Sequence, residues 1–273
     1  MSSSTTTHQN PYAVAFNKQN SPAQKNMNIV FSLRNVQENA SHTLPYLKPD
    51  SKILDIGCGI GTISQDFAQR CPQGSILGID HNTESLDIAK EAASTLKLSN
   101  LKYETGDVMN LSGIPDNEFD IVHAHQVILH LSDPVGGLKE MCRVCKPSGI
   151  VAIRDNAELI WVNATPLMLQ QKEETEKVMY GKDDAKRGGR LSHIWMNAAG
   201  FSWEDISMGS AGWEVDRVTW WKGAGETAGR FWQKITGGSE EDVERGRKEF
   251  EEWGAQPESR VMGLDGWVIG RKG

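Results

Sequence analysis

The segment Asp55-Ile56-Gly57-Cys58-Gly59-Ile60-Gly61 constrains this chain more than any other. The apolar run Lys52 to Ile56 enters it, and Thr62 to Arg70 leaves it with helical spacing. A buried strand, a glycine turn and a helix start follow in that order. Alternating glycines remove side chains where backbone approaches a ligand, and they admit the positive φ that a tight turn needs. The helix N-terminus beyond favours negative charge. A nucleotide-like ligand over the turn is the expectation, although nucleotide-binding dehydrogenases carry a related loop.

The rest of the first half repeats the strand–helix alternation. Strands are expected at Ser75 to Ile79, Leu101 to Glu104, Phe119 to Ala124 and Ile150 to Arg154. Helices are expected at Glu84 to Leu96, capped by Asn82 or Thr83, and at Pro134 to Cys145, stopped by Pro147 and Gly149. Such alternation builds an α/β fold on a mostly parallel sheet covered on both faces. Upstream, residues 11–48 read as helical pieces, with Ala23 to Leu44 ended by Pro45. After Arg154 the pattern loosens. Helices are expected at Leu167 to Met179, Gly189 to Ala199, Glu226 to Ile235 and Glu240 to Trp253, and strands at Phe201 to Met208 and Gly266 to Arg271. Residues 1–10 read as a disordered polar tail with no secretory signal.

Ligands of parallel sheets sit beyond the carboxyl ends of the strands. Asp80 ends the second strand, where a carboxylate can accept from two ribose hydroxyls, and His81 and Asn82 follow it. Asp107 follows the third strand, placed to accept from an adenine amino group, with Val108 to contact the ring. This third acidic position is not needed by a nicotinamide dinucleotide. His125 and Gln126 follow the fourth strand. Of the clustered histidines, His123 reads as mid-strand and structural, His125 as the candidate general base, and His130 as a loop anchor or acceptor contact. His193 and Asp155 are weaker candidates.

With those residues in view, the chain resembles class I S-adenosylmethionine (SAM) dependent methyltransferases, in particular the ubiquinone/menaquinone-biosynthesis C-methyltransferase-like group. The matching segments are Ile53 to Ile63, Gly106-Asp107-Val108, Phe119 to Val127, His130-Leu131-Ser132-Asp133-Pro134 and Lys146-Pro147-Ser148-Gly149. The likeness covers about residues 30 to 155. The family usually has two glycines after the proline, and Ser148 replaces the first; little effect is expected, since Gly149 can make the turn. The resemblance implies a Rossmann-like seven-stranded sheet flanked by helices, with an N-terminal helical segment and a C-terminal cap. It divides the chain into a tail (1–10), a helical segment (11–48), a SAM-binding core (49–155) and an acceptor-binding cap that completes the sheet (156–273). It assigns Asp55, Gly57, Cys58 and Gly59 to the methionine part of SAM, Asp80, His81 and Asn82 to the ribose, and Asp107 and Val108 to the adenine. It places His125 and Gln126 at the sulfonium and acceptor side, and Arg34 near the SAM carboxylate. S-adenosylhomocysteine is the implied product.

Composition narrows the partners. A net charge of −7 and no basic stripe argue against nucleic acid. No apolar run is long enough to span a membrane. Four cysteines do not make a secreted disulfide framework, Cys142-x-x-Cys145 has no second pair for zinc, and no metal is expected. A cytoplasmic enzyme acting on a small molecule, with a homodimer possible, is the expectation. All nine tryptophans fall at or after Trp161. Large aromatic rings line pockets for small organic acceptors, so Trp161, or the segment from Trp213 to Trp220 and Trp221, is expected to close over an apolar or aromatic acceptor of the natural-product or quinone-like kind. The alternatives are a SAM-binding protein that does not methylate, a pericyclase-like enzyme on the same fold, and a nicotinamide-dependent oxidoreductase.

Overall fold

The computed structural model describes residues 22–180, 187–222, 232–233 and 237–273. Seven strands form one sheet: β1 (Lys52–Ile56), β2 (Ser75–Asp80), β3 (Leu101–Thr105), β4 (Phe119–His125), β5 (Cys145–Val162), β6 (Ile206–Val215) and β7 (Arg260–Arg271). Their order is β3-β2-β1-β4-β5-β7-β6. The first five run parallel, and β7 is antiparallel to both β5 and β6. The order reverses between β1 and β4, so a crevice opens there beyond the strand ends.

Strands β1, β2 and β4 are apolar almost throughout because helices cover both faces. On one face α5 (Pro134–Val144) and α7 (Gly188–Ala198) bury Leu138, Met141, Val144 and Met196 against Leu54, Val122 and Val151. On the other, α3 (Thr62–Arg70) and α4 (Thr83–Thr95) bury Phe67, Leu86 and Ala89 against Ile53, Ile76 and Ile121. Asn82 caps α4, its side chain accepting from Ser85 N at 3.1 Å, and Asp133 caps α5 through Gly136 N at 2.9 Å. Leu101 and Phe119 begin their strands as expected, and the helix from Pro134 closes one residue early at Val144.

Three elements differ from the sequence expectation. The helix read over Ala23 to Leu44 is broken into α1 (Pro22–Phe31), α2 (Val36–Asn39) and a 3₁₀ segment Ser41–Tyr46 that contains Pro45. The cause is local. Asn35 leaves the helix, and its side chain accepts from Glu38 N at 2.9 Å to start α2 afresh. Strand β5 runs on from Arg154 to Val162 because the longer β7 pairs with it as far as Arg260, so the boundary expected at residue 155 falls inside a strand. The strand expected from Phe201 lies at Ile206–Val215, after a 3₁₀ turn at Trp203–Asp205. Helices α6 (Pro166–Tyr180), α8 (Arg217–Trp220) and α9 (Glu240–Ala255) complete the C-terminal region. Residues 1–21, and all of the helix read at Glu226 to Ile235 except Trp232 and Gln233, lie outside the described residues. No described helix is long and apolar enough to cross a membrane.

Candidate functional site

The glycine turn after β1 is held from two sides. Gly57 has φ +62°, and a Cβ there would come within 2.4 Å of the Val127 side chain, so neither the conformation nor the space admits another residue. Gly59 has φ +54°, and a Cβ there would meet nothing within 4 Å. That open side faces a cavity of about 730 Å³ lying across the ends of β1, β2 and β4 and the turn after β3. Asp55, Gly57, Cys58, Gly59, Asp80, His81, Asn82, Asp107, Val108, His125, Gln126 and Arg34 all border it.

Their side chains do different things there. The Asp55 carboxylate turns inward: His123 Nδ1–H donates to Oδ1 at 2.8 Å and Ser64 Oγ donates to Oδ2 at 2.5 Å. Asp55 therefore supports the turn from beneath with only 2% of its surface exposed, and His123 is the structural mid-strand residue expected. Asp80 is the hinge of the constellation. Its Oδ2 accepts from Gly59 N and its Oδ1 from Asn82 N, both at 2.8 Å. These bonds tie β2 to the glycine turn and leave further lone pairs towards the cavity. The His81 side chain is 91% exposed, and the Asn82 oxygen is engaged as the cap of α4. Asp107 accepts from Met109 N at 2.9 Å through Oδ1, and Val108 beside it is buried.

At the β4 end, Gln126 adopts φ +55°, which aims its side chain at Arg34. Arg34 donates to Gln126 Oε1 at 2.6 Å and lies 4.4 Å over the Phe31 ring. Burial pulls its guanidinium down to about 10, so it stays a cation at neutral pH. The break between α1 and α2 is what brings Arg34 to this position. His125 is 5% exposed, and neither ring nitrogen has a hydrogen-bond partner among the described residues. Burial, then the charges of Arg34, His123, Arg154 and His42, hold its pKa well below the usual imidazole value, so it is neutral at neutral pH. Asp155, in the following strand, is fully buried and accepts from Val127 N at 3.0 Å.

A second cavity of about 310 Å³ adjoins the first and shares Phe31, Arg34, Gln126 and His130 with it. Its outer wall holds Trp213 and Trp220, with ring centroids 6.0 Å apart, together with Tyr180, Leu129 and Leu159. Trp213, Trp220 and His130, each expected to contact an acceptor, border this second cavity. Trp161 does not. It packs edge-on against Phe250 at 5.2 Å, in a cluster with Met168, Trp253 and Val261, and borders neither cavity. The long β5 carries it past the site into the core beneath α9. His193 lies against Trp203, also outside both cavities. The residue missed in the sequence is Asp265, which borders the second cavity from β7. An acid between Leu264 and Gly266 in an otherwise apolar strand was the available signal, and starting that strand at Gly266 hid it.

A family model described as a methyltransferase domain matches residues 47–208. An uncharacterised methyltransferase of Schizosaccharomyces pombe is 35% identical over 186 residues, 64% of this chain and 65% of that protein. Its length, like that of the other curated relatives matched, is under two-thirds spanned. The fold is similar to that of a putative methyltransferase from Bacillus halodurans, with TM-score 0.55, 16% identity, and coverage of 85% of this chain and 97% of that one. It is also similar to phosphoethanolamine N-methyltransferase 2 of Haemonchus contortus in complex with S-adenosyl-L-methionine, with TM-score 0.52, 18% identity, and coverage of 98% and 59%.

Proposed function

Because the chain belongs to the class I SAM-dependent methyltransferase domain family, we propose that it binds SAM in the larger cavity and methylates a small organic acceptor held in the smaller one. The observation that carries this reading is the pair of adjoining cavities that share Phe31, Arg34, Gln126 and His130. A cofactor site and an acceptor site with a common wall is what transfer between two bound molecules requires.

The residues suit the cofactor. The open side of Gly59 leaves room for a ligand against bare backbone. The Asp80 carboxylate is pre-set by two backbone N–H groups and suits a ribose diol. Asp107 and Val108 offer an acceptor and an apolar face for adenine. Arg34 is a cation for the amino-acid carboxylate. When bound, SAM supplies an electrophilic methyl group on a sulfonium and leaves as S-adenosylhomocysteine. Displacement demands alignment above all, and positioning supplies roughly 7–11 kcal/mol of such a barrier. Here Gln126 and Arg34 hold each other at the junction, and His125 lies buried beside the larger cavity.

The likeness to the quinone-biosynthesis C-methyltransferase group rests on the matching segments from Ile53 to Gly149. The choice of a natural-product or quinone-like acceptor rests on the Trp213–Trp220 wall. The oxidoreductase alternative lapses with the family match. Titration calorimetry with SAM and S-adenosylhomocysteine, followed by mass spectrometry of acceptor mixtures, tests the proposal. Binding of both and a product heavier by one methylene are expected. Absence of binding overturns it, and tight binding without transfer to any acceptor favours the non-methylating reading.

A further inference from the structure

The wall residue Trp213 sits in a seat that the reading above does not use. On β6, Trp213 is the register partner of Gly263 on β7, and its indole lies across that glycine. A Cβ on Gly263 would come within 2.2 Å of the ring atoms Cε2 and Cζ2. Gly263 is not left-handed, so it supplies bare space for the ring rather than a special backbone conformation. Two residues on, Asp265 faces the same side of the sheet and is fully buried. Its Oδ1 accepts from Trp213 Nε1 at 2.8 Å, and its Oδ2 accepts from Arg154 Nε at 2.9 Å. The same Oδ2 lies 3.9 Å from His125 Nε2. Arg154, 1% exposed on β5, also donates through Nη1 to Glu38 O of α2 at 2.5 Å. A glycine notch, a carboxylate and a buried guanidinium thus fix one indole and tie it to the N-terminal segment.

Resting on the reading of the second cavity as the acceptor site, we infer that Gly263, Asp265 and Arg154 are specificity-determining residues: they hold the Trp213 indole against β7 and so fix the width of the acceptor that the cavity admits. Trp213 and Asp265 border that cavity, whereas Gly263 and Arg154 border neither cavity and act through the indole. Strand β6 ends the sheet, so support for its side chains has to come from β7. A buried ion pair adds little net stability over an apolar pair of the same volume. What this one supplies is a fixed direction for the Trp213 N–H.

The consequence is selection by size. Trp213 stands 6.0 Å from Trp220 in the wall of a cavity of about 310 Å³. A ring that is free to swing would let that wall retreat before a larger ligand. A seated ring holds its place, and a wall that does not yield discriminates by about 10–200-fold per methylene.

The test uses the full chain, saturated with S-adenosylhomocysteine, and flat probes of one, two and three rings: phenol, 1-naphthol and 9-phenanthrol. Affinities come from calorimetry. The Trp213 Nε1–H resonance, identified by its loss in Trp213→Phe, is followed by ¹⁵N NMR. In the parent, 1-naphthol is expected to bind tightest and to move that resonance. Gly263→Ala is expected to weaken 1-naphthol about tenfold or more and phenol less than about threefold, with S-adenosylhomocysteine affinity unchanged. In a Trp213→Phe background the same Gly263→Ala loss should shrink to under about threefold, because less ring is there to displace. Trp213→Phe alone should raise the affinity for 9-phenanthrol relative to 1-naphthol. Should Gly263→Ala fail to fold, Arg154→Met with Asp265→Leu removes both buried charges at similar volume, a change folds commonly tolerate. That double variant is expected to move the Trp213 resonance and to lower the 1-naphthol to phenol affinity ratio about fivefold. Unchanged ratios among the three probes in all variants overturn the role of the seat. Probes that do not bind, or that bind without moving the Trp213 resonance, overturn the acceptor assignment of the second cavity and leave the cofactor site standing. Failure to bind S-adenosylhomocysteine removes the cofactor reading itself.

Discussion

A buried acid beside the site makes the molecule sensitive to pH through a single residue. Asp155 has no exposed surface; its Oδ1 accepts from Val127 N, and its Oδ2 has no hydrogen-bond partner among the described residues. Burial, then the nearby charge of Asp265, push its carboxyl up to about 7, against the pull of the Val127 and Leu129 N–H groups. A carboxyl with a raised folded pKa binds a proton in the fold that it does not bind unfolded. Stability from this group is therefore full below about pH 4, falls as pH rises through about 7, and stays low above. At about 1.4 kcal/mol per pH unit, the move from 3.8 to about 7 sets an upper bound of about 4 kcal/mol. Asp155→Asn keeps the shape and an acceptor for Val127 N while removing the charge. Its melting temperature is expected to exceed that of the parent at pH 8, with the difference shrinking towards pH 4.5. Parallel profiles across that range would show that Asp155 is not the titrating group.

At the scale of elements, the turn into β5 shows how a residue substitution alters the strain of a connection. Gly149 was expected to make the turn in place of the missing glycine, yet the left-handed residue is Ser148, at φ +64°, with its N–H bonded to Lys272 O at 2.7 Å. A side chain in that region costs about 1–2 kcal/mol. Glycine removes that cost but gives back roughly 0.5–1 kcal/mol through the freer unfolded chain. Ser148→Gly is thus expected to stabilise by about 0.5–1 kcal/mol, read as a small rise in denaturant midpoint at unchanged slope; a fall in midpoint would mean the hydroxyl contributes more than the strain. The same contrast separates what was legible in the sequence from what was not. The strand–turn–helix at Lys52 to Arg70 and the acids Asp80 and Asp107 were readable because each is a local pattern: apolar run, turn residue, cap. The break at Asn35, the extension of β5 to Val162 and the burial of Trp161 depend on partners far along the chain. Arg154 Nη1, for example, donates to Glu38 O at 2.5 Å, across more than a hundred residues. Asp265 belongs to the same class, since only the pairing of β7 with β5 and β6 brings it beside His125.

Across the whole molecule, the cofactor cavity gathers residues from five separate stretches of the chain. Its wall takes Arg34 from the N-terminal segment, the glycine turn from β1, Asp80 from β2, Asp107 beyond β3 and His125 from β4. A ligand touching all five stabilises the fold without touching its core. Any ligand that binds the folded state alone adds RT ln(1 + [L]/Kd), about 2.7 kcal/mol at a hundredfold excess over Kd. A chain of this size shifts by about 2–4 °C per kcal/mol, so S-adenosylhomocysteine at that excess is expected to raise the melting temperature by about 5–10 °C. Asp80→Ala separates ligand from scaffold in this experiment. It removes the acceptor for Gly59 N and Asn82 N, which loosens the turn, and it removes the diol contact proposed for the ribose. The ligand-free melting temperature should fall modestly, while the rise on adding S-adenosylhomocysteine at the parent's saturating concentration should fall to near zero. A variant that lost only its ligand-free stability and kept the full rise would place the ribose elsewhere in the cavity. A parent protein that showed no rise at all would separate Arg34 and the four strand-end elements from the cofactor they are proposed to share.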